Sequence, residues 1–154
     1  MAYYPDLSRY EYLLQNQIRT TGRYPVLGMP FLNVGWLASA KEYQRGETDV
    51  AFQERLALFC RPHSVWAHCM GSHACEFCAK ARGSYEIWVV GREKLYAAPV
   101  LIHHYVIAHG YRPPDEFIEA LMECPVPESR EFKKRLKRAW HRGKRKPALP
   151  QRDG

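Results

Sequence analysis

The chain has no long apolar run. None of its hydrophobic stretches approaches the roughly 18 residues that a membrane-spanning helix needs, so no such helix is expected. The opening Met-Ala-Tyr-Tyr-Pro-Asp has neither a basic start nor an apolar stretch, and so does not read as a secretory signal. A glycine-rich phosphate loop is missing, as are the His-Glu-x-x-His of metalloproteases and the His-x-Glu of zinc deaminases. Asp6, Ser8, Ser72 and the remaining carboxylates form no recognisable triad or acid pair. There is no internal repeat. Cysteine is scarce, at five in 154 residues. An odd count without a signal fits a reducing compartment, and the cytoplasm is the expected location. There the thiols are expected to be metal-bound or free rather than bridged.

What is present is the composition of one globular domain with an appendage. The hydrophobic fraction of 46% is enough for a core without staples. The net charge of +7 is unevenly placed. Residues 128–154 hold eleven Lys or Arg against three acids, whereas residues 1–127 hold twelve against thirteen. The expected division is therefore a nearly neutral zinc-binding domain over 1–127 and a basic helical tail over 128–154, disordered at its end. Phe132, Leu136 and Trp140 recur every four residues in that tail among many cations. Such a helix can dock through its stripe and solvate its charges. The cations of residues 130–146 also suit nucleic acid or an anionic membrane surface.

The pattern predicts an α+β fold, with a small mainly antiparallel sheet, packed helices and a Cys/His metal loop. The tyrosine-rich residues 1–30 read as a segment wrapped over the body, with a short helical turn at 10–14. Phe31–Leu37 reads as a strand, and 50–60 as a helix capped by Thr48 or Asp49 with Phe52, Leu56 and Phe59 on one face. Ser64–His68 reads as a strand leading into the loop. Tyr85–Val90 and Leu95–Ala97 read as a hairpin. Pro99 suits the first position of a helix that runs to a glycine stop at Gly110. Pro113–Glu116 opens another helix with Phe117, Ile118, Leu121 and Met122 inward, and a last helix covers 128–142. Ile87 and Val89 are expected to pack on Leu101, Ile102, Tyr105 and Val106.

The chemistry concentrates in residues 68–78, which hold three of the five cysteines and two of the seven histidines. Thiolate and imidazole are the donors that Zn2+ prefers. The two-residue gap of Cys75-Glu-Phe-Cys78 lets both sulfurs meet one ion, a gap that recurs in zinc knuckles. Cys69 and His73 lie close enough upstream to complete a tetrahedron, so the expected ligands are Cys69, His73, Cys75 and Cys78. The fourth place is the least determined, and Cys60 or His104 can substitute for Cys69. Cys60 and Cys124 otherwise read as small buried hydrophobes. A redox Cys-x-x-Cys is the competing reading, but the βαβ setting of a thioredoxin-like site is missing. His103, His104 and His109 share a predicted helix. The five-residue step from His104 to His109 is a poor one for a common face, so the simplest reading is one histidine bonded to the core and the others exposed, with a role as a metal ligand or beside the ligands as the alternative. Glu76 stands beside the ligands as a candidate general base.

Four stretches together carry a family resemblance. They are Asn33-Val-Gly-Trp-Leu37, Gly71-x-His73-x-Cys75-x-x-Cys78, Tyr96-x-Ala98-Pro99-x-Leu101-Ile102-x-His104-Tyr105-Val106 and His109-x-Tyr111-x-Pro113-Pro114-x-Glu116-Phe117. In this order the chain resembles an uncharacterised bacterial family of small single-domain proteins over roughly residues 1–122. The resemblance implies a stand-alone bacterial cytoplasmic protein and brings no activity with it. The expected function is a binding or accessory protein with structural zinc. The alternatives are an enzyme using the Cys/His loop with His104, or a nucleic-acid-binding protein acting through its tail.

Overall fold

The computed structural model describes residues 2–11, 29–62 and 67–141, with the side chains of 67–70 and 140–141 left aside. The possible turn at 10–14, most of the strand expected at 64–68 and the end of the tail fall largely outside these residues. Among the described residues no helix is long and apolar enough to cross a membrane.

The fold is α+β. The centre of the sheet is a hairpin of β3 (Arg82–Val90) and β4 (Leu95–Pro99), closed where the Gly91 N–H meets the Lys94 carbonyl at 2.9 Å. Glu86, Ile87, Val89 and Val90 are all buried, so β3 is covered on both faces. That explains why its apolar residues run consecutively rather than alternate. β2 (Ala67–Ala74) lies antiparallel on the outer side of β3, and β1 (Phe31–Asn33) lies parallel on the outer side of β4. The order is β1-β4-β3-β2, a mixed sheet with two antiparallel pairings and one parallel one.

β3 begins at Arg82 rather than Tyr85, and three further boundaries in the sheet differ from those expected. β1 stops at Asn33 instead of reaching Leu37, because Gly35 turns to φ 76°. A Cβ there would stand 2.9 Å from Ile102, so both the turn and the close approach require glycine. β2 runs on through His73 to Ala74, where a loop was expected. It does so across an irregularity in which residues 69–72 stand opposite Ser84 alone, with Gly71 at φ 89°. Pro99 ends β4 rather than starting a helix. The Val100 N–H still bonds the Tyr85 carbonyl, so the chain is held to the sheet until Leu101.

Four helices follow in the described residues: α1 (Val50–Phe59), α2 (Ile102–His109), α3 (Asp115–Glu123) and α4 (Arg130–His141). Phe52, Leu56 and Phe59 of α1 form the single buried face that their spacing predicts. Asp49 takes the cap position by its backbone, without a side-chain bond. Phe117 and Leu121 of α3 are buried and Ile118 is half-buried, but Met122 faces solvent. Arg55 of α1 donates to the carbonyls of Leu121 and Cys124, placing a cation at the negative end of α3. Ser129 caps α4 by accepting the Phe132 N–H at 3.1 Å. Phe132 and Ala139 of α4 are buried in the core and Leu136 is packed against it.

Residues 2–11 lie along β1. Leu7 and Tyr10 donate to Asn33 and Phe31, and Asn33 donates to Ser8. Tyr10 is fully buried, and its hydroxyl gives a 2.5 Å hydrogen bond to Glu86. The Trp88 indole donates to the same oxygen at 2.7 Å. The other Glu86 carboxylate oxygen is buried with no hydrogen-bond partner. Burial pushes the Glu86 carboxyl up to about 7, with the Tyr10 and Trp88 bonds opposing in part.

Two predictions arise from this core. Ile87 is fully buried, and Leu101, Ile102, Tyr105 and Val106 are buried in the same cluster as expected. Ile87→Ala should cost roughly 2–5 kcal/mol in a denaturant titration, and a loss below about 1 kcal/mol would contradict this packing. Glu86 holds its proton more tightly when folded than its ordinary value of 4.5 allows. Its stabilising contribution is thus complete below that value and is lost as pH rises through about 7. Glu86→Gln should gain stability relative to the parent between pH 5 and pH 8. A constant difference between the two proteins over that window would refute a buried, protonated Glu86.

Candidate metal centre

The turn between β2 and β3 is a tight knuckle. The Cys75 N–H bonds the Ala81 carbonyl at 2.9 Å, and the Cys75 carbonyl accepts the Ala79 N–H at 2.8 Å. Ala79 takes φ 55°, which folds the chain back after Cys78. Glu76 is exposed at the tip. Its carboxylate accepts the Ser39 N–H at 2.8 Å and lies 3.2 Å from the Ser39 hydroxyl. The Ser39 backbone bond holds the Glu76 carboxyl below its usual range. This carboxylate anchors the knuckle to the preceding loop instead of standing free as a base.

Facing the knuckle is the C-terminal end of α2. Gly110 stops the helix at φ 61°, as expected, and donates to the Tyr105 carbonyl. Tyr111 bonds the same carbonyl at 3.1 Å. The His109 carbonyl, one of those a helix end leaves open, accepts the Tyr43 hydroxyl at 2.9 Å and Arg45 at 3.4 Å. The Gly46 N–H takes the Gly110 carbonyl at 3.1 Å. His109 is thus fixed from its backbone by residues 43–46.

The two ends meet in one cluster. The ligand atoms of Cys75, Cys78, His104 and His109 all lie within 4.8 Å of one another. Cys75 Sγ is 3.4 Å from His109 Nε2, Cys78 Sγ is 3.3 Å from His104 Nε2, and the two Nε2 atoms are 3.2 Å apart. Bonds of about 2.0–2.3 Å to a tetrahedral ion imply ligand separations of about 3.3–3.8 Å. Hydrogen bonding alone accounts for the arrangement poorly. Each Nε2 has two close neighbours, yet a ring nitrogen offers one in-plane proton or lone pair. A single ion held between them would use all four donors. This Cys2His2 group can therefore hold a metal ion.

The surroundings suit that role. Cys75 is buried and the other three residues are half-buried. Phe77, between the cysteines, packs on His109 with centroids 5.1 Å apart, and edge-on to Tyr43 and Tyr105. Burial lowers the His104 pKa, helped by His109 and His103, and so favours the neutral imidazole that ligates metals. Burial also raises the Tyr105 hydroxyl, followed by Cys75, Glu76 and Cys78.

The cluster shares Cys75 and Cys78 with the quartet expected from sequence. In place of Cys69 and His73 it has His104 and His109. His104 is the substitute the sequence reading had allowed for. His73 sits half-buried on β2 opposite Gly83 and is not in the cluster. Cys69 lies on the same strand, and its side chain is outside the described residues. Cys60 is elsewhere, its thiol pushed up to about 12 by burial, and Cys124 is likewise raised to about 11. Cys124 fits the reading of a small buried hydrophobe, whereas Cys60 is half-buried and packs against the core.

Sequence spacing does not single out His109, because five residues of helix turn two side chains well apart. The missing element is side-chain lean. Helical side chains point back toward the N-terminus, so the imidazole of the last residue reaches toward the level of His104. The readable signal was the His109-Gly110 pair, a histidine in the last turn before a glycine stop.

No curated protein and no solved structure matches the chain. The family model of a domain of unknown function (DUF7919) matches residues 2–122, which include all four cluster residues and end before α4. The chain belongs to the DUF7919 family.

Proposed function

We propose that the protein is a non-enzymatic binding or accessory domain stapled by one structural Zn2+, held by Cys75, Cys78, His104 and His109. The observation that carries this reading is the convergence of two thiols and two imidazoles from separate elements on one point. Zinc suits two sulfurs and two nitrogens in a tetrahedron. Four protein donors complete its shell and leave no place for a substrate, which separates a structural site from a catalytic one. The nearest carboxylate, Glu76, is engaged by Ser39. The two halves of the site are 26 or more residues apart in sequence, so the ion acts as a cross-link between the β2–β3 knuckle and α2. Thiolate ligands of this kind persist in a reducing cytoplasm, where we place the protein.

Purified protein should carry about one zinc per chain by elemental analysis. Cys75→Ser and His109→Ala should each remove it and lower the thermal midpoint, because metal binding is part of the folding free energy. Cys69→Ser and His73→Ala should leave the metal in place. Zinc lost from the His73→Ala protein and kept by the His109→Ala protein would exchange the ligand sets. A metal-free protein indifferent to chelation would end the proposal.

A further inference from the structure

Helix α4 divides sharply into two faces. Phe132 and Ala139 are buried in the core and Leu136 packs against it. Arg130, Lys133, Lys134, Lys137 and Arg138 are all exposed. Their spacing of three, four, seven and eight residues from Arg130 places them within an arc of about 140°, centred opposite the buried residues. Over that arc the helix shows five cations along about 12 Å. None of the five takes part in an ion pair among the described residues, where the pairs are Arg9–Glu11, Arg92–Glu123, Lys94–Glu116 and Arg112–Asp115.

This arrangement works against the free protein. Arg130 and Lys134, Lys133 and Lys137, and Lys134 and Arg138 are like charges four residues apart, which repel on a helix. Arg130 also sits at the helix N-terminus, where the dipole disfavours a cation. Core packing through Phe132 holds the stripe in place. A polyanion would relieve the repulsion.

We propose that this face of α4 is a docking surface for the phosphate backbone of a nucleic-acid duplex, read without regard to sequence. Charge complementarity supports the partner: about 12 Å of helix spans three to four base pairs, whose phosphates release counterions to lysine and arginine. Among the described side chains no aromatic lies in the cationic arc, which argues against stacking on single-stranded bases. An anionic membrane fits less well, because an interfacial helix buries an apolar face in the lipid, and the apolar side of α4 is already committed to the core. Phosphate contacts position a protein on a duplex but carry no sequence information. The proposal does not depend on the metal, although the protein tested is the metal-loaded full chain.

The test is binding to 30-base-pair duplexes of unrelated sequence over a salt series, beside vesicles of phosphatidylserine and phosphatidylcholine. The duplexes should bind with similar affinities that fall steeply with salt. Lys133→Gln, Lys134→Gln, Lys137→Gln and Arg138→Gln combined should reduce the log–log salt slope by about three to four and leave the thermal midpoint no lower. An unchanged slope in a folded variant would overturn the assignment to α4. Tighter binding to vesicles than to duplexes would overturn the partner, and so would a strong preference for one duplex sequence. No binding to duplex at low salt would end the proposal.

Discussion

Four donor atoms within 4.8 Å of one another bring the β2–β3 turn against α2, at His104 in its first turn and His109 in its last. Much of the surrounding structure serves to hold those two ends in place. The knuckle is fixed by its own backbone bonds and by Glu76 on Ser39. The helix end is fixed by Gly110 and by the loop at 43–46. Beneath them, Tyr105 and Phe77 make a ring-on-edge contact that fills the space between knuckle and helix. Each of these contacts costs conformational entropy. They share one return, which is preorganisation of two sulfurs and two nitrogens around a point. A metal bound there would stabilise the fold by as much as it prefers the folded site to the unfolded chain.

The legible parts of the sequence were those in which one local rule dominates. The hairpin of β3 and β4 followed from an apolar run interrupted by Gly91, and α1 from Phe52, Leu56 and Phe59. Gly110 marked the end of α2. The failures had equally definite causes. Phe31–Leu37 is a largely apolar run, but Gly35 is there to turn toward Ile102, a contact no local pattern reveals. Pro99 satisfies the rule for a helix start, yet the neighbouring ladder holds it in the sheet. In the site, Cys75 and Cys78 were legible because a two-residue gap is sufficient by itself. His104 was legible only as a substitute for Cys69, and His109 was less so, because the distance that matters runs between elements. Closeness in sequence favoured His73 and Cys69; the topology of the sheet places His104 and His109 of α2 beside Cys75 and Cys78, while the Cys69 side chain lies outside the described residues.

The chain combines this site with a second, separate organisation. The family match ends at residue 122, while α4 begins at Arg130 and still contributes Phe132 to the core. The basic segment is thus tethered to the body by its apolar side, and its charges are displayed in a fixed direction. Glu86, by contrast, is a carboxyl kept inside the sheet with one oxygen unmatched. Its cost is borne at high pH, where burial disfavours the charged form. The body therefore tolerates a buried core carboxyl with one unpartnered oxygen on β3 while the cysteine and histidine donors gather at the β2–β3 turn and α2.

The central claim is the identity of the four ligands, and X-ray absorption at the zinc edge of the purified full chain tests it most directly. The account predicts a shell of two sulfurs at about 2.3 Å and two nitrogens at about 2.0 Å, with the multiple-scattering pattern of two imidazoles. Three sulfurs and one nitrogen, the shell of Cys69, His73, Cys75 and Cys78, would contradict it.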